Sequence, residues 1–248
     1  MSEITVKIAE DAKKLGINKG DVLLVHSSLR SLGGATAEEV INGLLLALGE
    51  TGTLVFPTLS YMNCNPSKPN FDYYNTPSNV GYLPEYFRTQ VKGVKRSICP
   101  THSCAALGRH AEYIVSGHKE DTTPCGKNSP FHRVMELDGK ILFLGCGNNC
   151  NTSMHAVEEL SVPDYLFLDD CEYTVTDAEG KTYKTTCRAH GFKGVIQCYY
   201  RVFDLVDAEN KAFGNILKAE CQLINAKPMW LAADRKYRED QHYFIDFA

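Results

Sequence analysis

Ile141-Leu-Phe-Leu-Gly-Cys-Gly-Asn-Asn-Cys-Asn-Thr-Ser-Met-His155-Ala-Val-Glu158 passes from an apolar run through a polar turn into a helical pattern. Ile141 to Leu144 has the length and character of a buried strand, and Asn151 or Thr152 stands where a helix N-cap belongs. His155 then falls in the first helical turn, and Glu158 shares its face. The positive end of the helix works against imidazolium, which leaves a neutral ring free to accept a proton. Glu158 opposes that effect if it touches the ring, and can also fix its tautomer. The bland alternative is a capped helix with a buried histidine.

The same strand-then-helix grammar extends outward. Ile4 to Leu15 is helical up to Gly16, Val22 to Val25 reads as a strand ending in His26-Ser27-Ser28, and a helix from Thr36 to Leu48 carries the capping box Thr36-Ala-Glu-Glu39. Gly52 to Phe56 is the next strand. From Ser60 to Asn79 the chain is rich in Asn, Pro, Ser and Tyr, the character of a binding loop or lid. Leu83 to Thr89 reads as helix, a strand lies within Ser97 to Leu107, and His110 to Gly117 is helical again. Glu172 to Thr176 and Lys181 to Thr185 alternate polar and apolar residues around Glu179-Gly180, which predicts an antiparallel hairpin. Phe203 to Glu209 and Tyr243 to Phe247 are expected as C-terminal helices. The resulting fold class is α/β: a mixed central sheet with helices on both faces, three layers in all, a smaller antiparallel β insert, and one domain over residues 1–248.

Composition narrows the function. The 248 residues are 44% hydrophobic, enough to bury a core, and the net charge of -4 gives no electrostatic support to a nucleic-acid partner. Ten cysteines are scattered from Cys64 to Cys221 with no signal-peptide core ahead of them, so reduced thiols and a cytoplasmic location are expected. No apolar run approaches a membrane span, so a membrane partner is not expected either.

Several motifs invite chemistry. Val25-His-Ser-Ser-Leu-Arg30-Ser-Leu-Gly-Gly34 lies between a strand and a helix, where hydroxyls, backbone N–H groups and Arg30 can hold phosphate oxygens, although the Lys and glycine spacing of a P-loop are absent. Pro100-Thr-His-Ser103 is a second hydroxyl-rich turn. Cys146, Cys150 and His155 are metal-ligand types, but their spacing is not a common zinc pattern, so no metal is expected. Cys125 is a candidate nucleophile if a histidine lies beside it, against the commoner case of an inert thiol.

Taken in order, His26-Ser-Ser-Leu-Arg-Ser-Leu-Gly33, Gly52-Thr-Leu-Val-Phe-Pro-Thr58, Phe71-Asp72, Thr76-Pro-Ser78, Gly81-Tyr-Leu-Pro-Glu85, Arg96-Ser97, Pro100-Thr-His-Ser103, Ser129-Pro130 and Asn151-Thr-Ser-Met-His155 with Glu158 resemble the aminoglycoside 3-N-acetyltransferase family, in particular its shorter bacterial members. The resemblance implies acetyl-coenzyme A as co-substrate and an amine acceptor, with direct transfer and no acyl-enzyme. It places His155 as catalytic histidine, Glu158 as its acid and His26 as a second histidine of the cleft. Ser27, Ser28, Leu29, Arg30, Thr101, His102 and Ser103 fall on coenzyme-lining segments, and Asp72 and Glu158 are the acids expected to meet a cationic acceptor. A homodimer is compatible with it. The competing class is a coenzyme A-binding protein of the same fold that acetylates no antibiotic.

Overall fold

The computed structural model describes residues 1–248. Its helices are α1 (Glu3–Leu15), α2 (Ala37–Leu48), α3 (Tyr82–Gln90), α4 (Ala111–Ser116), α5 (Pro130–Glu136), α6 (Ser153–Ser161) and α7 (Ala226–Glu239). The strands are β1 (Val22–Ser27), β2 (Thr53–Pro57), β3 (Asn70–Asp72), β4 (Lys95–Arg96), β5 (Cys104–Gly108), β6 (Lys140–Leu144), β7 (Phe167–Thr176), β8 (Thr182–His190), β9 (Val195–Gln197), β10 (Lys211–Ile216), β11 (Ala219–Asn225) and β12 (Ile245–Phe247).

A seven-stranded sheet runs in the order β10-β11-β6-β1-β2-β5-β4. Its centre, β6-β1-β2, is parallel, and antiparallel strands flank it on both sides. Both faces are buried, which is why β1 and β6 read as unbroken apolar runs. Alternation divides them: Leu23, Val25, Leu142 and Leu144 pack with α1 and α2, whereas Val22, Leu24, Ile141 and Phe143 pack with α5, α6 and α7. The capping box is present, with Thr36 Oγ1 accepting from Glu39 N at 3.2 Å and Thr36 N donating to Glu39 Oε2 at 3.0 Å.

The β insert is the expected hairpin, β7 against β8, with an addition the sequence did not suggest. β3, inside the Ser60–Asn79 loop, pairs parallel to β7 and ties that loop to the insert. Two C-terminal expectations are corrected. Tyr199–Leu205 and Ala208–Asn210 are 3-10 turns rather than one helix from Phe203, and Ile245–Phe247 is a strand that pairs antiparallel with β9. The second misreading has a clear cause: three residues of strand are decided by a partner about fifty positions away in sequence, not by local pattern. α5, α7 and the β10–β11 hairpin were not anticipated. In α7 the proline at 228 disguises the helix, yet it lies in the first turn, where its missing N–H has no intrahelical partner to lose. No helix is long and apolar enough to cross a membrane.

Candidate active site

β1 and β6 are parallel neighbours whose following helices pack on opposite faces, α2 on one and α6 on the other. Such a divergence opens a crevice at the carboxyl ends of the strands, where α/β sheets bind ligands. His26 ends β1, and the turn after β6 leads to His155. Gly145 makes that turn possible: its φ is +66°, and a Cβ there would collide with Ser31 Oγ. Thr152 is the residue before α6, but the side-chain bond at this helix start is made by Asn151, whose Oδ1 accepts from Ser153 N at 3.2 Å.

His155 and Glu158 meet as their spacing requires, with Nδ1 3.1 Å from Glu158 Oε2. Glu158 is fully buried and is completed by two tyrosines: Tyr199 donates to Oε2 at 2.7 Å and Tyr165 to Oε1 at 2.9 Å. The Tyr199 hydroxyl is also 2.8 Å from His155 Nδ1. Its one proton is committed to Glu158, and a carboxylate only accepts, so Nδ1 must carry the proton that fills both contacts. Nε2 is then left with a bare lone pair, ready to take a proton. Burial and the Glu158 charge push the Tyr199 phenol well above its ordinary value, so it stays a donor.

His155 lies on the wall of a cavity of about 460 Å³, with His102, His190, Phe192 and Tyr199 around it. The His190 and Phe192 rings are 5.0 and 4.9 Å from the His155 ring, and His102 is at 5.7 Å. A second imidazole–carboxylate pair stands beside the first, His190 Nε2 being 2.8 Å from Glu159 Oε1. Consecutive acids of α6 therefore hold two different histidines of one cavity. Burial raises the Glu159 carboxyl to about 8, against the opposing bonds from Thr123 and Cys125 N, and burial drives His102 and His190 well down. Tyr199, His190 and Phe192 escaped the sequence reading because nothing in local spacing links them to His155; only the fold does.

Other expected residues are distributed unevenly. His26 stacks on Phe143 at 5.3 Å and borders a side chamber of about 130 Å³ with Ser27, which shares Val80, Cys150 and Thr152 with the main cavity. Burial, then the charge of His155, lowers His26 to about 3, and its Nε2 has no partner. Ser28, Leu29 and Arg30 continue outward from Ser27 and border neither chamber, with Arg30 exposed. Thr101 and His102 line the main cavity, but Ser103 faces away, its hydroxyl donating to Thr58 O at 2.9 Å and accepting from Arg96 Nε at 3.0 Å. Asp72 is not at the cavity either, because its Oδ1 caps a turn by accepting from Tyr74 N and Asn75 N at 2.9 and 2.8 Å. With Glu158 committed to His155 and the tyrosines, no charged side chain lines the cavity apart from its histidines. Cys125 is brought near histidines, yet it is fully buried and its thiol is pushed far up, which disqualifies it as a nucleophile. Cys146 and Cys150 meet each other at 3.4 Å without forming a three-ligand set with His155.

The Ser60–Asn79 loop does supply cavity wall, through Tyr61, Asn65 and Pro66. Arg96 fastens it from below, donating Nη1 to Tyr73 O at 2.9 Å and to Thr76 O at 2.7 Å. Arg96→Met keeps the apolar stem but strands these carbonyls, and is expected to lower stability by about 2–4 kcal/mol in urea unfolding. A loss below about 0.5 kcal/mol, the level of an ordinary surface change, would show the tether to be idle.

A family model described as aminoglycoside 3-N-acetyltransferase matches residues 24–238. Aminoglycoside N(3)-acetyltransferase III from Salmonella sp is 30% identical over 210 residues, covering 77% of this chain and 73% of its own length. Among solved structures, YokD from Bacillus subtilis superposes with a TM-score of 0.83 at 26% identity, over 96% of this chain and 94% of its own. A histidine-to-alanine mutant of aminoglycoside acetyltransferase AAC(3)-IVa, solved with a gentamicin bound, has a TM-score of 0.82 at 27% identity, over 97% of this chain and 90% of its own.

Proposed function

This chain belongs to the aminoglycoside 3-N-acetyltransferase family, and we propose that it moves the acetyl group of acetyl-coenzyme A directly to an amine, the 3-amino group of an aminoglycoside's 2-deoxystreptamine ring or a related amine. The whole chain acts as one catalytic unit, with His155 as general base. The observation that carries this reading is the fixed tautomer of His155: Nδ1–H is committed to Glu158 and Tyr199, and Nε2 is free. An amine attacks a thioester carbonyl through its lone pair. As the N–C bond forms, the nitrogen must shed a proton, which Nε2 receives. Glu158 and the tyrosines hold the ring and stabilise the imidazolium formed. Collapse of the tetrahedral intermediate breaks the C–S bond, and the proton returns to the departing thiolate.

Coenzyme A is assigned to the crevice end of β1, over Ser27 to Arg30, with its acyl end reaching Thr101 and His102. Ser27 Oγ is buried without a partner, which suits a ligand acceptor or donor at that point. The acceptor enters the main cavity under the Ser60–Asn79 loop. With no carboxylate on the lining, ammonium groups are met by Asn65, Asn149, Gln197 and aromatic faces rather than by ion pairs. The KM for gentamicin-class acceptors is therefore expected to change less than about threefold between low and physiological salt, because screening acts on charge pairs that this cavity lacks. A steep rise of KM with salt would place acids at the acceptor site.

The deciding experiment is release of free thiol from acetyl-coenzyme A in the presence of a panel of aminoglycosides and simpler amines, with the acetylated product identified by mass. Turnover with any 2-deoxystreptamine compound, blocked by loss of its 3-amino group, supports the assignment. Binding of acetyl-coenzyme A with no release in the presence of any amine would overturn it. Tyr199→Phe removes one hydrogen bond from the Glu158 carboxylate, worth about 1 kcal/mol, and is expected to lower kcat about fivefold with coenzyme affinity unchanged. Unaltered kcat would remove Tyr199 from the positioning of His155.

A further inference from the structure

Behind the wall shared with His155, three metal-ligand types converge. A ring nitrogen of His102, Cys125 Sγ and a ring nitrogen of His190 lie within 4.8 Å of one another, delivered by the turn before β5, the loop before α5 and the end of β8. Each is held from outside. His190 Nε2 lies 2.8 Å from Glu159 Oε1, Cys125 N donates to the same oxygen at 2.8 Å, and Thr123 Oγ1 donates to Oε2 at 2.5 Å. His102 Nδ1 is 2.9 Å from Thr101 Oγ1. What remains unexplained is His190 Nδ1, a buried ring atom with no hydrogen-bond partner. An imidazole that gives one N–H to a carboxylate and keeps its other nitrogen bare is the arrangement found in metal-bound histidines, where the carboxylate fixes the tautomer.

We propose that His102, Cys125 and His190 form a binding site for a zinc-class divalent cation, with Glu159 as the carboxylate that orients His190. Thiolate and imidazole donors select borderline-soft cations and reject magnesium and calcium. Three protein ligands leave one position of a tetrahedron open, and since His102 and His190 line the cavity, that position faces it. Bonds of about 2.3 Å to sulfur and about 2.0 Å to nitrogen place ligand atoms about 3.3–3.6 Å apart, so the cluster must contract by about 1 Å. Rotation of the two rings supplies that without moving backbone. The cation also gives the bare Nδ1 a partner. Cys146 and Cys150, the competing thiol pair, lie on the turn before α6 and offer two sulfurs with no histidine completing a set.

The test uses chelator-treated full-length protein with cobalt(II), then zinc(II), as the only added ligands. One equivalent of cobalt is expected to produce a thiolate-to-cobalt charge-transfer band and tetrahedral visible absorption, both displaced by zinc. The Cys146→Ser/Cys150→Ser double variant should keep both signals. Cys125→Ser should abolish the charge-transfer band, and Glu159→Gln should weaken cobalt binding about 10- to 100-fold. If Cys125→Ser fails to fold, His190→Gln decides, with at least a tenfold loss of cobalt affinity expected. The proposal is overturned if no cobalt binds at micromolar concentration, if the band survives Cys125→Ser, if it vanishes in the double variant, or if His190→Gln binds cobalt like the wild type. None of these readouts depends on acetyl transfer, so the site stands or falls apart from the proposed reaction.

Discussion

His155→Ala is expected to lower kcat by two to four orders of magnitude, the range that a general base contributes, while affinity for acetyl-coenzyme A changes little. The reason lies in what the substitution leaves behind. Glu158 and Tyr199 remain joined at 2.7 Å, and Tyr165 still donates to Glu158 at 2.9 Å, so the buried carboxylate stays satisfied and the fold is not asked to carry an orphaned charge. The loss is therefore confined to proton transfer. Thiol release measured at saturating amine, with calorimetric titration of acetyl-coenzyme A alongside, separates the two effects. A variant within about fivefold of wild-type kcat would exclude His155 as the base. Glu158→Gln makes a sharper companion, because its amide offers one accepting oxygen where the carboxylate offers two, and three donors converge there: Nδ1–H and Tyr199 O–H on one side and Tyr165 O–H on the other. Either the ring flips its tautomer or a donor is stranded, and kcat should fall while size is preserved.

The parts of this protein legible in its sequence are those whose cause is local. The capping box at Thr36 and Glu39, the β6 strand and the His155–Glu158 face each depend on residues within one turn or one strand, and the structure contains them all. What escaped depends on pairing across long distances. Tyr199 reaches Glu158 from a 3-10 turn, His190 reaches Glu159 from the end of β8, and neither position has a periodicity that points at α6. Asp72 shows the reverse relation: its charge suggests a substrate role, while local geometry commits the carboxylate to a turn away from the cavity. Ser103 is a similar case: a hydroxyl in a motif looked available, but Thr58 and Arg96 use it to join two segments of the loop-bearing layer.

Moving from pH 7.5 to pH 5.5 is expected to cost this fold about 4 kcal/mol of stability. Three histidines away from the Glu159 pair are held neutral by burial: His26 is lowered to about 3, His118 to about 4 and His132 to about 4, from an ordinary value of 6.5. The folded state therefore binds fewer protons than the unfolded chain between these values, and stability must fall as pH drops below 6.5, levelling off only near pH 4 and below. One pH unit under the unfolded value costs about 1.4 kcal/mol per histidine, and the net stability of a domain is only about 5–15 kcal/mol. Glu159, raised to about 8, works the other way on acidification, and the buried His102 and His190, both driven down, oppose it, so that cluster taken together contributes little to the balance. The structural reason for holding each ring neutral differs. His118 spends both nitrogens, one on Ser97 Oγ at 2.9 Å and one on Pro124 O at 3.0 Å, while His132 packs edge-on against Trp230 at 4.5 Å. His132→Phe retains that packing and removes one titration, so its urea midpoint should fall less on acidification than the wild type's. Equal wild-type stability at the two pH values would mean that these rings take up protons in the folded state, and the neutral core inferred for them would have to be given up.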